Sequence, residues 1–125
     1  MENCVFCNIK KENIIVESEY SQAFYDNFPV NRGHVLVIPK HHVENYFELS
    51  DIEKKDIWNL VDKVKIIIEK TYNPDGFNVG INIGKYAGQT IFHCHIHLIP
   101  RYKGDVDNPE GGVRGVIPTK QKYRL

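Results

Sequence analysis

Short apolar, β-branched and aromatic segments at residues 14–16, 22–25 and 35–38 alternate with polar breaks. The breaks are Glu17-Ser18-Glu19 and Asn27-Phe28-Pro29-Val30-Asn31-Arg32-Gly33. This punctuation predicts a meander of antiparallel strands, with Pro29 and Gly33 stopping any continuous element and Asp26 and His34 bracketing the second break at strand ends. The period then changes. Ser50 offers a hydroxyl cap and Glu53, three residues on, completes a capping box. Ile57, Leu60, Val61, Val64, Ile67, Ile68 and Thr71 follow at helical spacing, which predicts a long amphipathic helix ended by Asn73-Pro74-Asp75-Gly76.

Two-residue alternation returns after the helix. Over residues 77–83, Val79, Ile81 and Ile83 fall on one face and Asn78, Gly80 and Asn82 on the other. Gly80 in mid-strand suggests close approach of a ligand or another backbone. The loop 84–90 leads into His93-Cys94-His95-Ile96-His97-Leu98, read as the second strand of a hairpin. Extended backbone puts His93, His95 and His97 on one face and Cys94, Ile96 and Leu98 on the other. Neutral imidazole serves as nucleophile, proton carrier or metal ligand. At about 3.3 Å per residue His93 and His97 lie on the order of 13 Å apart, too far to share one ion without a bend, so the three divide their roles. The loop before them has backbone N–H groups that can cradle a phosphate.

Composition narrows the classes. A chain of 125 residues, 42% hydrophobic, makes one compact domain with a single core. Sixteen basic and sixteen acidic residues cancel, which argues against a nucleic-acid footprint. No apolar run approaches the ~20 residues of a membrane span, and the opening Met1-Glu2-Asn3-Cys4 does not resemble a signal peptide, so a cytoplasmic protein is expected. Three cysteines, two of them spaced Cys4-Val5-Phe6-Cys7, suit a reducing compartment and metal ligation. That pair is half a tetrahedral site, with His41 or His42 and His93 as candidates to complete it. Arg114, in a polar stretch after Arg101, either reaches a ligand or partner subunit or is simply solvated.

Gly88-Gln89-Thr90 followed by His93-x-His95-x-His97 resembles the signature of the histidine triad (HIT) family, and the resemblance extends to Asp26, Gly33-His34-Val35-Leu36-Val37-Ile38-Pro39-Lys40, His42 and Asn82. It implies an α+β fold, an antiparallel sheet of about five strands carrying a long helix and pairing into a homodimer. Residues 1–125 form a single such domain on this reading, with 104–125 as a variable C-terminal tail. The implied activity is hydrolysis at a nucleotide α-phosphate, with adenine nucleotides as substrates and diadenosine tetraphosphate favoured by the tail after Pro100-Arg101. His95 is implied as the nucleophile that forms a covalent nucleotidyl-histidine. His97 and His34 bind phosphate oxygens or orient His95, Gln89 and Thr90 assist the leaving group, Asn82 fixes the phosphate and Asp26 holds the ribose. The zinc-containing branch of the family implies a structural zinc on Cys4, Cys7, His42 and His93, with no catalytic metal required. A nucleoside phosphoramidase is the alternative activity. Two other classes compete: a non-catalytic module chelating metal through His93 and His95, and a nucleotide sensor with little turnover.

Overall fold

A computed structural model describes residues 3–124; Met1 and Glu2, read above for a leader, and Leu125 lie outside the described residues. Five strands, β1 (Ile14–Glu17), β2 (Ser21–Tyr25), β3 (Val35–Pro39), β4 (Gly76–Gly80) and β5 (Ile96–Arg101), form one sheet in the order β1-β2-β3-β5-β4. Every neighbouring pair is antiparallel. One long helix, α1 (Asp51–Tyr72), covers one face, and the α+β expectation of five strands and a helix holds.

The helix starts where its capping box demands. Glu53 N donates to Ser50 Oγ at 3.3 Å while Ser50 N donates to Glu53 Oε1 at 3.0 Å, satisfying two end donors at once. Those bonds, led by the backbone donor of Ser50, hold the Glu53 carboxyl below its ordinary range. Asn73, in the left-handed region at φ 50°, ends the helix. Ile57, Leu60, Val61, Val64 and Ile68 are buried against Val35, Val37, Ile96 and Leu98. Each such side chain contributes roughly 1.5–3 kcal/mol by leaving water. Thr71 departs from the predicted stripe: it is exposed and its hydroxyl donates to Ile67 O at 2.8 Å, a bond that serves a polar side chain better than core contact.

The opposite sheet face is apolar as well, with Phe6, Phe24, Leu36 and Ile38 forming a second, smaller cluster. Phe24 lies opposite Leu36 in the β2–β3 ladder, and Leu36 lies opposite His97 in the β3–β5 ladder. Two predicted strands are shorter than their alternation suggested. β4 stops at Gly80 and β5 starts at Ile96, so 15 residues, not seven, join them. The ladder ends because Cys94 N donates to Val43 O at 2.8 Å, outside the sheet. Alternation outlasts pairing: Cys94, Ile96 and Leu98 still face the helix. Gly80 shares a rung with His97, yet an added Cβ would meet nothing within 4 Å, so no protein backbone crowds it. Among the described residues no helix is long and apolar enough to cross a membrane.

Candidate active site

A cavity of about 730 Å³ lies over the sheet face away from α1. Phe6, Ile9, Phe24 and Leu36 give it apolar walls, and Asp26, Asn82, Gly88, Thr90, His95 and His97 also line it. The side-chain alternation of β2, β3 and β5 delivers Phe24, Leu36 and His97 to this face.

Hydrogen-bond partners assign each imidazole's tautomer. His95 Nδ1 lies 2.9 Å from the carbonyl of His93, which can only accept. The proton is therefore on Nδ1, and Nε2 keeps its lone pair in a ring that lines the cavity. Phe6 packs edge-on against that ring, with centroids 5.2 Å apart. A second series starts at the backbone: Val30 N donates to His34 Nδ1 at 3.0 Å, so His34 carries its proton on Nε2. That proton is donated to His97 Nδ1, 3.0 Å away, which leaves His97 with a proton on Nε2 as a donor. Both rings stay neutral. Burial, and then the neighbouring His95 and His34, push His97 down to about 4. Burial also lowers His34, against the opposing pull of Asp26, whose Oδ2 is 3.5 Å from Nε2.

The loop before the histidines is tied down by Gln89, which is buried. Its Oε1 accepts from Gly84 N at 2.9 Å, and its Nε2 donates to Glu44 O at 2.6 Å and Ile91 O at 3.1 Å. Gln89 therefore spends its amide on backbone and does not line the cavity, whereas its neighbours Gly88 and Thr90 do. The sequence expectation that Gln89 faces the leaving group differs from this placement because three backbone groups, Gly84 N, Glu44 O and Ile91 O, engage its amide.

His93 turns away from its two partners. Its Nε2 donates to Pro39 O at 2.8 Å, which fixes a lone pair on Nδ1. That nitrogen lies 3.4 Å from Cys4 Sγ, 3.5 Å from Cys7 Sγ and 3.1 Å from His42 Nδ1, and Cys7 Sγ is 3.3 Å from His42 Nδ1. Tetrahedral zinc with thiolate and imidazole ligands sets donors roughly 3.3–3.8 Å apart, so spacing and donor chemistry fit a closed Cys₂His₂ centre. Cys4, Cys7, His42 and His93 are thus a candidate metal centre. His41 is exposed and lies 3.2 Å from Glu53, outside it. His95 is not in this cluster, against the reading of a His93–His95 chelate. Asp26, His34 and His97 also converge, but His34 Nε2 and His97 Nδ1 are hydrogen-bonded to each other and His34 Nδ1 accepts from Val30 N. Burial raises the thiol of the third cysteine, Cys94, to about 12, which keeps it a protonated core side chain.

Arg114 donates to Gln121 O and Lys120 O and sits over the Tyr123 ring, within its own tail and away from the cavity. The sequence reading missed Phe6, Phe24 and Leu36 as cavity walls. For Phe24 and Leu36 the signal was available: 35–38 is apolar on both faces and 23–25 carries Ala23, Phe24 and Tyr25 in succession, more than one helix can cover.

A sequence model described as the HIT domain matches residues 8–104. "Protein hit" of Bacillus subtilis is 44% identical over 109 residues, covering 83% of this chain and 75% of that protein. The "Adenosine 5'-monophosphoramidase hnt1" of Schizosaccharomyces pombe is 42% identical over 103 residues, 79% of this chain and 74% of that one. The "Bis(5'-adenosyl)-triphosphatase" of Dictyostelium discoideum is 40% identical over 100 residues, 80% and 67% of the two chains. Among solved structures, a zinc-bound histidine triad family protein from Mycobacterium smegmatis superposes with a TM-score of 0.75 at 34% identity, covering 83% of this chain and 78% of that one.

Proposed function

Since this chain belongs to the HIT domain family, we propose that it hydrolyses nucleotides at the α-phosphate through a covalent intermediate on His95. One observation carries the reading: the carbonyl of His93 accepts a hydrogen bond from Nδ1–H of His95, leaving Nε2 as an unprotonated nucleophile in a cavity of nucleotide size. Nε2 attacks phosphorus, the bond from phosphorus to the leaving atom breaks, and the electron pair departs with that atom, which takes up a proton. Water then attacks the nucleotidyl-histidine, a P–O bond replaces the P–N bond, and Nε2 recovers its lone pair. The sum is nucleotidyl-X plus water giving nucleoside monophosphate plus HX. Splitting the displacement lowers the barrier because imidazole is both a competent nucleophile and a good leaving group.

His97 Nε2–H and Asn82 donate to the phosphate oxygens as charge spreads over them. His34 holds His97 in the donating tautomer, Thr90 faces the leaving atom, and Gln89 positions that loop through its backbone bonds. Asp26 accepts from the ribose hydroxyls, and the apolar walls take an adenine base. Cys4, Cys7, His42 and His93 would hold a zinc ion, which would supply structural crosslinking and no chemistry to the reaction. The working unit is a cytoplasmic homodimer of a single domain, residues 1–125, with 104–125 as its variable tail. Two kinds of leaving group suit the step: a nucleoside polyphosphate, as in diadenosine tetraphosphate, and an amine, as in a phosphoramidate. Related proteins are named for each kind of activity.

The test is direct. Rapid quenching with an activated AMP donor is expected to trap one adenylate on a peptide containing His95, seen by mass spectrometry. His95→Ala is expected to abolish both adduct and turnover. Undiminished hydrolysis by His95→Ala overturns the reading.

A further inference from the structure

His97 sits near the start of β5, and the turn that follows the end of the same strand grips the loop that orients His34. Asp105 organises that turn, residues 101–105, with a carboxylate that accepts four hydrogen bonds. Oδ1 accepts from Arg101 Nη2 at 2.8 Å; Oδ2 accepts from Arg101 Nε at 2.8 Å, Tyr102 N at 3.0 Å and Asn31 Nδ2 at 2.8 Å. Only the last bond leaves the turn, and it reaches 74 residues back to the break between β2 and β3. The paired bonds from Arg101, then the one from Tyr102 N, hold the carboxyl well below the ordinary carboxylate range, so it stays a charged acceptor. Arg101 also donates through Nη1 to Asn78 Oδ1 on β4 at 2.6 Å, which ties the carboxylate to the sheet. Tyr102 adds a second hold on the loop, donating its hydroxyl to Arg32 O at 2.8 Å.

What the turn grips on one side, His34 reads on the other. Asn31 O accepts from His34 N at 3.2 Å, and the preceding residue donates Val30 N to His34 Nδ1 at 3.0 Å. A neutral imidazole carries its proton on either nitrogen, and the Val30 bond is what selects Nε2–H for His34. If that selection is lost, His34 Nε2 becomes an acceptor, His97 must answer with Nδ1–H, and His97 Nε2 can no longer donate to a phosphate oxygen. Asp105 itself does not line the active-site cavity. We propose that Asp105, at the root of the C-terminal tail, is a positioning residue for the His34–His97 pair: it holds Asn31, and through it the Val30 amide that sets both tautomers. The proposal rests on the reading of His97 as a phosphate donor given above.

Two readouts on the full-length, metal-loaded protein test it: imidazole ¹⁵N–¹H correlation spectra, which report tautomers directly, and the rate at which an activated AMP donor adenylates His95, timed by rapid quenching. In the wild type His34 and His97 are each expected to be protonated on Nε2 alone. In Asp105→Ala and in Asn31→Ala both rings are expected to become tautomer mixtures, and adenylation is expected to slow about tenfold, the scale of a small misplacement of a positioned group. The double variant is expected to slow no further, because the two substitutions break one path. Asn31→Ala leaves the Arg101–Asp105 pair intact, so it decides the matter alone where Asp105→Ala fails to fold. Unchanged tautomers and rate in Asn31→Ala, or rate effects of the two substitutions that multiply, overturn the proposal while leaving the His95 chemistry intact. A wild type that forms no adenylate overturns that chemistry, and the proposal with it.

Discussion

Gly33→Ala tests how the loop before His34 is held. Gly33 has φ +82°, and an added Cβ would sit 2.8 Å from Cδ2 of Tyr72, in the last turn of α1. The left-handed backbone costs an L-residue about 1–2 kcal/mol, the clash with a packed ring adds about 1–3, and the stiffer unfolded chain returns about 0.4–1. The net loss is about 1–4.5 kcal/mol, centred near 3, which lowers Tm by roughly 10 °C at that centre in a domain of this size. Gly104 supplies the control: at φ +85° an added Cβ meets nothing within 4 Å, so Gly104→Ala bears only the backbone cost. Urea unfolding of the two variants, with Gly33→Ala repeated in a Tyr72→Ala background, isolates the ring's share. The loop also reaches the site, because Asp26 N donates to His34 O, His34 N donates to Asn31 O, and Val30 N sets the His34 tautomer. Hydrolysis by the folded fraction of Gly33→Ala is therefore expected to fall severalfold. If Gly33→Ala is as mild as Gly104→Ala, with normal turnover, the account of this loop is wrong.

Acid should remove both stability and activity. The His97 ring sits near 4 in the folded chain and titrates near 6.5 when unfolded, so on acidification the unfolded state takes the proton first. Stability is then full above about 6.5 and falls as the pH drops towards 4, by on the order of 2 kcal/mol for a ring only partly shielded from water. Protonated His97 can no longer accept from His34, so kcat/KM is expected to fall with a midpoint well below 6.5; a midpoint at 6.5 would contradict the assigned tautomers. For the metal centre, about one zinc per chain is expected by elemental analysis, retained in His95→Ala and lost in Cys7→Ser together with several degrees of Tm. Loss of zinc in His95→Ala would instead support chelation by the triad.

Much of this was legible from local pattern, because local physics wrote it. The capping box at Ser50 and Glu53 and the stripe from Ile57 to Ile68 specify a helix whatever it packs on, apart from Thr71 at its end. The alternation through Cys94, Ile96 and Leu98 likewise predicts which face is core, and it held even beyond the end of the ladder. Strand ends were less legible. A β-strand stops when its partner stops, and the partner of Cys94 N is Val43 O, 51 residues away in the chain and outside the sheet.

What the sequence by itself determined is the inventory and its order: five extended segments, one capped helix, a Cys-x-x-Cys pair, and three histidines spaced to share a face. Tertiary structure decided the tautomer of each histidine. Pro39 O accepts from Nε2–H of His93, His93 O accepts from Nδ1–H of His95, and the Val30–His34 pair engages Nδ1 of His97; the partners of His93 and His97 come from distant parts of the chain, and only that of His95 is local. Tautomer choice is a property of hydrogen-bond geometry, which no spacing of residues encodes.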